Sequence, residues 1–205
     1  MDLCNSVNHA LAALGREALP LETVVAGVGD GARNLIARSL KASGAEPDAG
    51  MLEAALQAFL KHYDAHCLIE TRLYAGVEKA LRGLDGYAKT VLTNKPGQPA
   101  RAVLEGLGVA TLFGSILGGD NAYGRKPEPA ALRHLMRTFN AAPDETVMIG
   151  DGVQDLAAAR NAGARFIGFL GGMASREALL AEKPGAVIES MDDLPRAISA
   201  MEARP

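Results

Sequence analysis

From residue 76 onward, short apolar runs alternate with amphipathic helical patterns, and this alternation limits the possible folds more than any other feature of the sequence. The apolar runs are KTVLT, GSILGG, TVMIG, RFIGFL and AVI, and the helical patterns after them cover residues 97–107, 128–140, 152–162, 175–182 and 191–203. Strand and helix in repeated succession predict a parallel sheet covered by helices on both faces. We therefore predict an α/β core at residues 74–205.

The chain before this core has a different pattern. Apolar positions recur three and four residues apart in VNHALAALG, ARNLIARSLKASG and AGMLEAALQAFLKHYDAH, which is the spacing of one helix face. Residues 1–73 are therefore predicted to form a small helical cap domain. We expect the connection between the two domains near Tyr74-Ala75-Gly76.

Charge and composition argue against some classes of binding partner. The net charge is −3 and no polybasic run occurs, so neither nucleic acid nor an anionic membrane is an expected partner. Cys4 and Cys67 lack metal-ligand spacing, the N-terminus lacks the layout of a signal peptide, and no apolar segment approaches the roughly 20 residues that cross a bilayer. These features favour a cytoplasmic protein that acts on a small molecule, with an oligomeric state that the sequence does not indicate.

Two polar motifs follow predicted strands, where an open α/β sheet binds its ligands. In VLTNKPG, Thr93 and Asn94 precede a helix starting near Gly97, whose free backbone N–H groups would suit a phosphate. The alternative is that Thr93 ends a strand and Asn94 starts a turn. In GGDNAYGRKPEPAAL, Lys126 could swing over the strand ends and neutralise phosphoryl charge, or it could face solvent.

The third motif is VMIGDGVQD. Asp151 follows a strand directly and Asp155 lies one helical turn further, so both carboxylates can face one cleft and bind Mg²⁺. Alternatively, each acid only stabilises the start of a helix. Gly150-Asp151-Gly152 is a weak match to a dinucleotide loop because the third glycine is missing.

Further polar residues lie in the predicted cap. His62 and His66 are four residues apart and could bind zinc, but with no third ligand evident they are interpreted as surface or cap residues. Arg33 in GVGDGARNL could bind a substrate carboxylate, although a solvated helix position is the alternative.

With threonine after a strand, Lys-Pro before a helix and Gly-Asp-x-x-x-Asp after a strand, the chain resembles the haloacid dehalogenase superfamily and its phosphoglycolate phosphatase branch. GVGDGARNLIARSL, TRLYAGVEKAL, LTNKP, GRKPEPAAL, IGDGVQDLAAARNAGA and SMDDLP extend the likeness over the whole length. Gly152 stands where the family commonly has serine, and Leu73 and Ala75 where it commonly has prolines.

The resemblance implies a phosphatase with a Rossmann-like core that forms an aspartyl-phosphate with Mg²⁺ as cofactor. Thr93 and the Asn94 amide would hold the phosphoryl group, and Lys126 would stabilise its charge and orient the nucleophile. Asp151 would bind the metal, with Asp155 supporting that site.

One element of the family is absent from these 205 residues. Members open with a strand ending in Asp-x-Asp-Gly-Thr, which carries the nucleophile and the general acid, whereas no Asp-x-Asp occurs here. Asp2 begins a helical pattern, so we expect an exposed helix-start carboxylate there. Loss of that strand, normally central, would leave two interior strand edges unpaired.

Two explanations for the missing motif remain open: the segment lies upstream of Met1, which the otherwise intact motifs favour, or the chain is a degenerate relative. The leading hypothesis is a phosphatase acting on 2-phosphoglycolate, inactive in this form. The alternatives are a sugar-phosphate phosphatase or phosphomutase, and a non-catalytic phosphate- or partner-binding protein.

Overall fold

A computed structural model describes residues 1–202. The chain divides into two compact units, the first covering Met1–Arg72 and the second beginning at Leu73. Each unit has its own buried core, and the two are described separately.

The first unit consists of helices. They are α1 (Asp2–Ala12), α2 (Leu21–Ala26), α3 (Ala32–Ala42) and α4 (Ala49–His66). The apolar stripes of α1, α3 and α4 supply a core that includes Val7, Leu11, Ile36, Leu40 and Phe59. The three long helical patterns of the sequence are thus confirmed as helices, whereas the six-residue α2 was not expected.

Asp2 is buried, so the expectation of an exposed carboxylate at this position was wrong. Only 3% of its surface is exposed. Its Oδ1 accepts a hydrogen bond from the Glu70 amide (2.9 Å), and its Oδ2 accepts from the amide and the hydroxyl of Thr71 (both 2.9 Å). The side chain therefore ties the start of α1 to the segment that follows α4, a contact between residues nearly 70 positions apart in the chain.

An Asp2→Asn variant is expected to lose on the order of 2–3 kcal/mol of unfolding free energy at pH 7, because backbone donors lose a charged acceptor. Burial raises the pKa of Asp2, but hydrogen bonds from Thr71 and Glu70 outweigh it and lower the pKa overall. A lowered folded-state pKa stabilises the fold above the unfolded value of about 3.9, and this contribution is lost as pH falls through the folded value.

Urea denaturation at pH 7 and at pH 3 checks this prediction, with Asp64→Asn, on the exposed side of α4, as the matched control. The difference between the wild type and Asp2→Asn should shrink at the lower pH. A difference that stays the same at both pH values would contradict a role for the ionised carboxylate.

The second unit alternates strands and helices. Its strands are β1 (Thr90–Leu92), β2 (Ser115–Leu117), β3 (Val147–Gly150), β4 (Arg165–Phe169) and β5 (Val187–Ile188). Its helices are α5 (Val77–Gly83), α6 (Gly97–Gly106), α7 (Ala130–Thr138), α8 (Val153–Ala162), α9 (Arg176–Ala181) and α10 (Leu194–Glu202). All five strands fall within the predicted apolar runs, which confirms the α/β pattern.

Within residues 1–202 the strands form two parallel sheets. One has the order β1-β2 and the other the order β3-β4-β5. β1 and β3 each pair along one edge only, as expected for a core that lacks a strand between them. Ile149 of β3 is 37% exposed, in keeping with the open edge of this strand.

The two faces of the β3-β4-β5 sheet carry separate apolar clusters. Met148, Leu156 and Phe166 belong to the cluster beneath α7 and α8, and Ile167, Phe169 and Ile188 to the cluster beneath α5 and α10. These clusters fix the carboxyl ends of the strands, where the polar motifs lie. None of the helices in residues 1–202 has the length and apolar character required to cross a membrane.

Candidate active site

The first motif starts where β1 ends. The Thr93 amide donates to the Leu117 carbonyl (3.1 Å), which continues the pairing of β1 with β2 by one residue. The Thr93 hydroxyl oxygen accepts a hydrogen bond from the Lys95 amide (3.1 Å). Asn94 is buried, with 7% of its surface exposed. The backbone therefore turns sharply after the strand and places Asn94 inside the unit.

The Asn94 side chain joins the first motif to the second. Its Nδ2 donates to the Lys126 carbonyl (3.0 Å), and its Oδ1 accepts from the Lys126 amide (2.9 Å). Both hydrogen-bonding groups of the side-chain amide are thus used on one backbone residue. This paired contact holds the loop before α7 over the end of β1.

Lys126 in turn joins the second motif to the third. Its Nζ lies 2.5 Å from Asp155 Oδ1, and the two side chains are 13% and 10% exposed. Asp155 Oδ2 accepts from the Gly152 amide (3.0 Å) at the start of α8. The lysine is therefore not solvent-facing, and Asp155 both binds it and stabilises the helix start.

A glycine at position 150 allows this approach. A Cβ built at Gly150 would lie 2.5 Å from Cγ of Asp155, far inside van der Waals contact. Only a residue without a side chain lets β3 end so close to the first turn of α8. Gly150 thus leaves room for the side chain of Asp155.

Asp151 lies beside this pair and is half-buried. Its Oδ2 accepts hydrogen bonds from the amides of Met173 (2.8 Å) and Ala174 (3.1 Å) in the loop after β4. Burial, followed by the negative charge of Asp151, raises the pKa of Tyr74, so the phenol is close enough to sense the carboxylate. Tyr74 also packs edge-to-face on Phe169, with ring centroids 5.3 Å apart.

Asp120 belongs to this end of the sheets and was missed by the sequence reasoning. The Gly97 amide at the start of α6 donates to its Oδ1 (2.8 Å). The expectation that this helix start leaves its N–H groups free was therefore wrong for Gly97. Asp120 comes three residues after β2 ends, so the search for polar side chains after strands could also have found it.

Arg33 lies in the first unit, at the start of α3. Its guanidinium group forms an ion pair with Glu53, and the two side chains are 54% and 48% exposed. A contact of Arg33 with a substrate therefore stays a prediction.

The family of the chain follows from comparison with known proteins. A family model described as haloacid dehalogenase-like hydrolase matches residues 2–169, most of the 205 residues. The chain belongs to the haloacid dehalogenase-like hydrolase family. The resemblance seen in the three motifs is thereby confirmed.

Several relatives of this hydrolase carry the name phosphoglycolate phosphatase. The one from Colwellia psychrerythraea is 36% identical over 172 residues, 82% of this chain and 76% of that protein. One from Cereibacter sphaeroides is 40% identical over 175 residues, 83% of this chain and 78% of that protein. At the level of the family, the chain is a phosphatase-type hydrolase.

Solved structures of the haloacid dehalogenase-like family confirm the fold. The crystal structure of a predicted phosphoglycolate phosphatase from Haemophilus somnus is 27% identical, with a TM-score of 0.91 over 96% of this chain and 90% of that one. A predicted phosphatase from Clostridium acetobutylicum, at 23% identity and a TM-score of 0.83 over 97% of this chain and 91% of that one, shares the fold. The Rossmann-like parallel architecture expected from the sequence is thus confirmed.

The donor atoms of this hydrolase can be compared with what Mg²⁺ requires. Magnesium prefers oxygen ligands and is commonly held by one or two carboxylates, water and substrate phosphate. Asp151 is a partly exposed carboxylate and fits this role. Asp155 already binds Lys126 and the Gly152 amide, so it fits a supporting role better than direct ligation. No three metal-binding side chains of residues 1–202 converge on one point.

Proposed function

We propose that this protein is a Mg²⁺-dependent phosphate monoester hydrolase of the phosphoglycolate phosphatase type, acting on a small phosphorylated acid in the cytoplasm. The observation that carries the proposal is the hydrogen-bonded chain from Asn94 through Lys126 to Asp155, with Asp151 beside it. It brings the residues of three separate motifs to one end of the second unit. The names of the relatives supply the candidate substrate, 2-phosphoglycolate.

Each residue has a distinct role in this proposal. The Thr93 hydroxyl and the Asn94 backbone amide bind phosphoryl oxygens, since neutral donors hold an anion without adding charge. Lys126 stabilises the negative charge that develops during transfer and orients the nucleophile. Asp155 keeps the ammonium group of Lys126 in place. Asp151 would hold Mg²⁺, which would supply positive charge to the phosphoryl group.

Within residues 1–202, the proposed site has no identified carboxylate nucleophile. An aspartyl-phosphate requires a carboxylate nucleophile, and the 205 residues contain no Asp-x-Asp. Asp2 cannot take this role, because its carboxylate is buried in the first unit against Glu70 and Thr71. We therefore expect this chain to bind phosphate esters and to hydrolyse them very slowly.

Magnesium-dependent phosphate release from 2-phosphoglycolate tests the proposal, run on this chain and on a version extended before Met1 by a strand ending in Asp-x-Asp-Gly-Thr. Hydrolysis by the extended version alone is the expected result. Sugar phosphates run in parallel test the alternative substrate class. Rapid hydrolysis by the unextended chain would contradict the argument about the nucleophile.

The missing nucleophile also favours a second candidate, a phosphate-binding protein without turnover. Calorimetry with inorganic phosphate and Mg²⁺ distinguishes the two. Binding together with inactivity of the extended version would favour the binding protein. Absence of both binding and hydrolysis would reject both candidates.

A further inference from the structure

Three histidines of the first unit form a stack that the proposed phosphatase chemistry does not use. His9 on α1 stacks on His62 of α4, with ring centroids 4.3 Å apart. His62 stacks on His66 one helical turn later, with centroids 4.1 Å apart and planes inclined by 18°. The sequence showed only the pair on α4, because His9 is 53 positions away from His62 in the chain.

Hydrogen bonds define the tautomers of the two α4 histidines. The Ser6 hydroxyl donates its single proton to the Asp2 carbonyl (2.9 Å), so towards His62 Nδ1 (2.9 Å) the oxygen acts as acceptor. His66 Nδ1 faces the His62 carbonyl (2.7 Å), which only accepts. Both rings therefore carry the proton on Nδ1. In the neutral form of such a ring, Nε2 has a lone pair that can bind a metal.

Neutral rings with Nδ1–H held by an oxygen and Nε2 unprotonated are in the state of metal-binding histidines. Burial, followed by the positive charges that His66 and His9 carry when protonated, lowers the pKa of His62, which favours its neutral form. Two histidines four residues apart on a helix lie on one face and can bind one ion. Both side chains are only half-buried, so water can complete the coordination.

The spacing of the rings also suits a transition metal. The ring centroids of His62 and His66 are 4.1 Å apart. With zinc–nitrogen bonds of about 2.0–2.1 Å, a tetrahedral ion needs its two nitrogens about 3.3 Å apart, so the nearly parallel rings must tilt towards each other to bind it. No third metal-binding side chain of residues 1–202 joins them at a common point. We propose that His62 and His66 form a two-histidine site for a borderline transition-metal ion such as Zn²⁺, with His9 acting as a stacking partner.

This site is independent of the proposed phosphatase function and separate from Asp151 in chemistry. Imidazole nitrogen favours Zn²⁺, Ni²⁺ and Cu²⁺, whereas Mg²⁺ favours oxygen. Bound zinc would crosslink two consecutive turns of α4. Because zinc binds the folded chain, it should raise the thermal midpoint of unfolding.

Calorimetric titration of the untagged full chain with ZnCl₂, in excess Mg²⁺, tests the proposal. We expect one zinc ion per chain in this site, and a loss of about tenfold or more in affinity for His62→Gln and for His66→Gln. His9→Phe retains stacking and should retain zinc. His134→Gln, which removes the histidine stacked on Tyr123 in the second unit, is the control and should have no effect.

Zinc should also raise the thermal midpoint of the wild type and of His9→Phe but not of His66→Gln. Unchanged zinc affinity in both α4 variants would overturn the proposal. Loss of binding in His9→Phe would overturn the two-histidine coordination, and an equal loss in His134→Gln would show binding elsewhere. Since the readouts are affinity and thermal stability, a negative result leaves the proposed hydrolase function untouched.

Discussion

An Asp155→Ala variant should lose about 3–5 kcal/mol of unfolding free energy, because it leaves the charge of Lys126 buried without a partner. The two side chains are 13% and 10% exposed and their charged atoms lie 2.5 Å apart, so solvent can screen the lysine only weakly. The Gly152 amide would also lose its acceptor at the start of α8. Urea denaturation followed by circular dichroism measures the loss.

Two further variants test whether the loss of stability comes from the unpaired charge of Lys126. Asp144→Ala removes an exposed carboxylate of the same unit and should change stability by less than about 0.5 kcal/mol. Lys126→Met combined with Asp155→Leu removes both charges and should recover much of the loss, since a buried pair is often replaceable by apolar groups. An Asp155→Ala variant no less stable than Asp144→Ala would show that Lys126 reaches solvent.

The same ion pair gives the two aspartates of the third motif, Asp151 and Asp155, different electrostatic surroundings. The charge of Asp155 is already balanced by Lys126, whereas the hydrogen bonds that Asp151 accepts from Met173 and Ala174 come from neutral backbone amides. A divalent cation would therefore gain more from Asp151. This difference supports the proposed division between a metal-binding and a positioning carboxylate.

Much of the second unit could be predicted from the sequence because its signals are local. Each strand is a short apolar run, and α6, α7 and α10 have amphipathic spacing. The sequence alone was enough to place Thr93 after β1 and Asp151 after β3, and the expectation that both lie at strand carboxyl ends rests on the usual site of ligand binding in open α/β sheets. The same reasoning brought Lys126 to these ends.

The contacts that sequence reasoning missed are long-range ones. Burial of Asp2 depends on two amides nearly 70 residues away, and no local pattern indicates that the chain returns there. Stacking of His9 on His62 depends in the same way on how α1 packs against α4. The two hydrogen bonds between the Asn94 side chain and the Lys126 backbone require the turn after β1 to face inward, and a single asparagine in the sequence does not reveal this.

Two paired isoleucines of the larger sheet, one on its edge strand and one on its central strand, provide a matched comparison of stability. Ile149 of β3 and Ile167 of β4 lie opposite each other in the parallel register, yet they are 37% and 0% exposed. Ile167→Ala should cost about 2–5 kcal/mol, since it leaves a cavity among Phe169, Ile188 and their neighbours. Ile149→Ala should cost about 1 kcal/mol or less, because much of that side chain already contacts water.

Urea denaturation of both variants under the same conditions shows whether Ile149 of β3 is exposed to solvent or covered. A large loss in Ile167→Ala alone means that the open edge of β3 is solvated, as it is in residues 1–202. Equal losses would contradict this prediction and would mean that another segment or molecule covers Ile149 in solution. The second result would bear directly on the proposed site, because Gly150 and Asp151 follow Ile149 and a strand pairing in parallel with β3 would end near them.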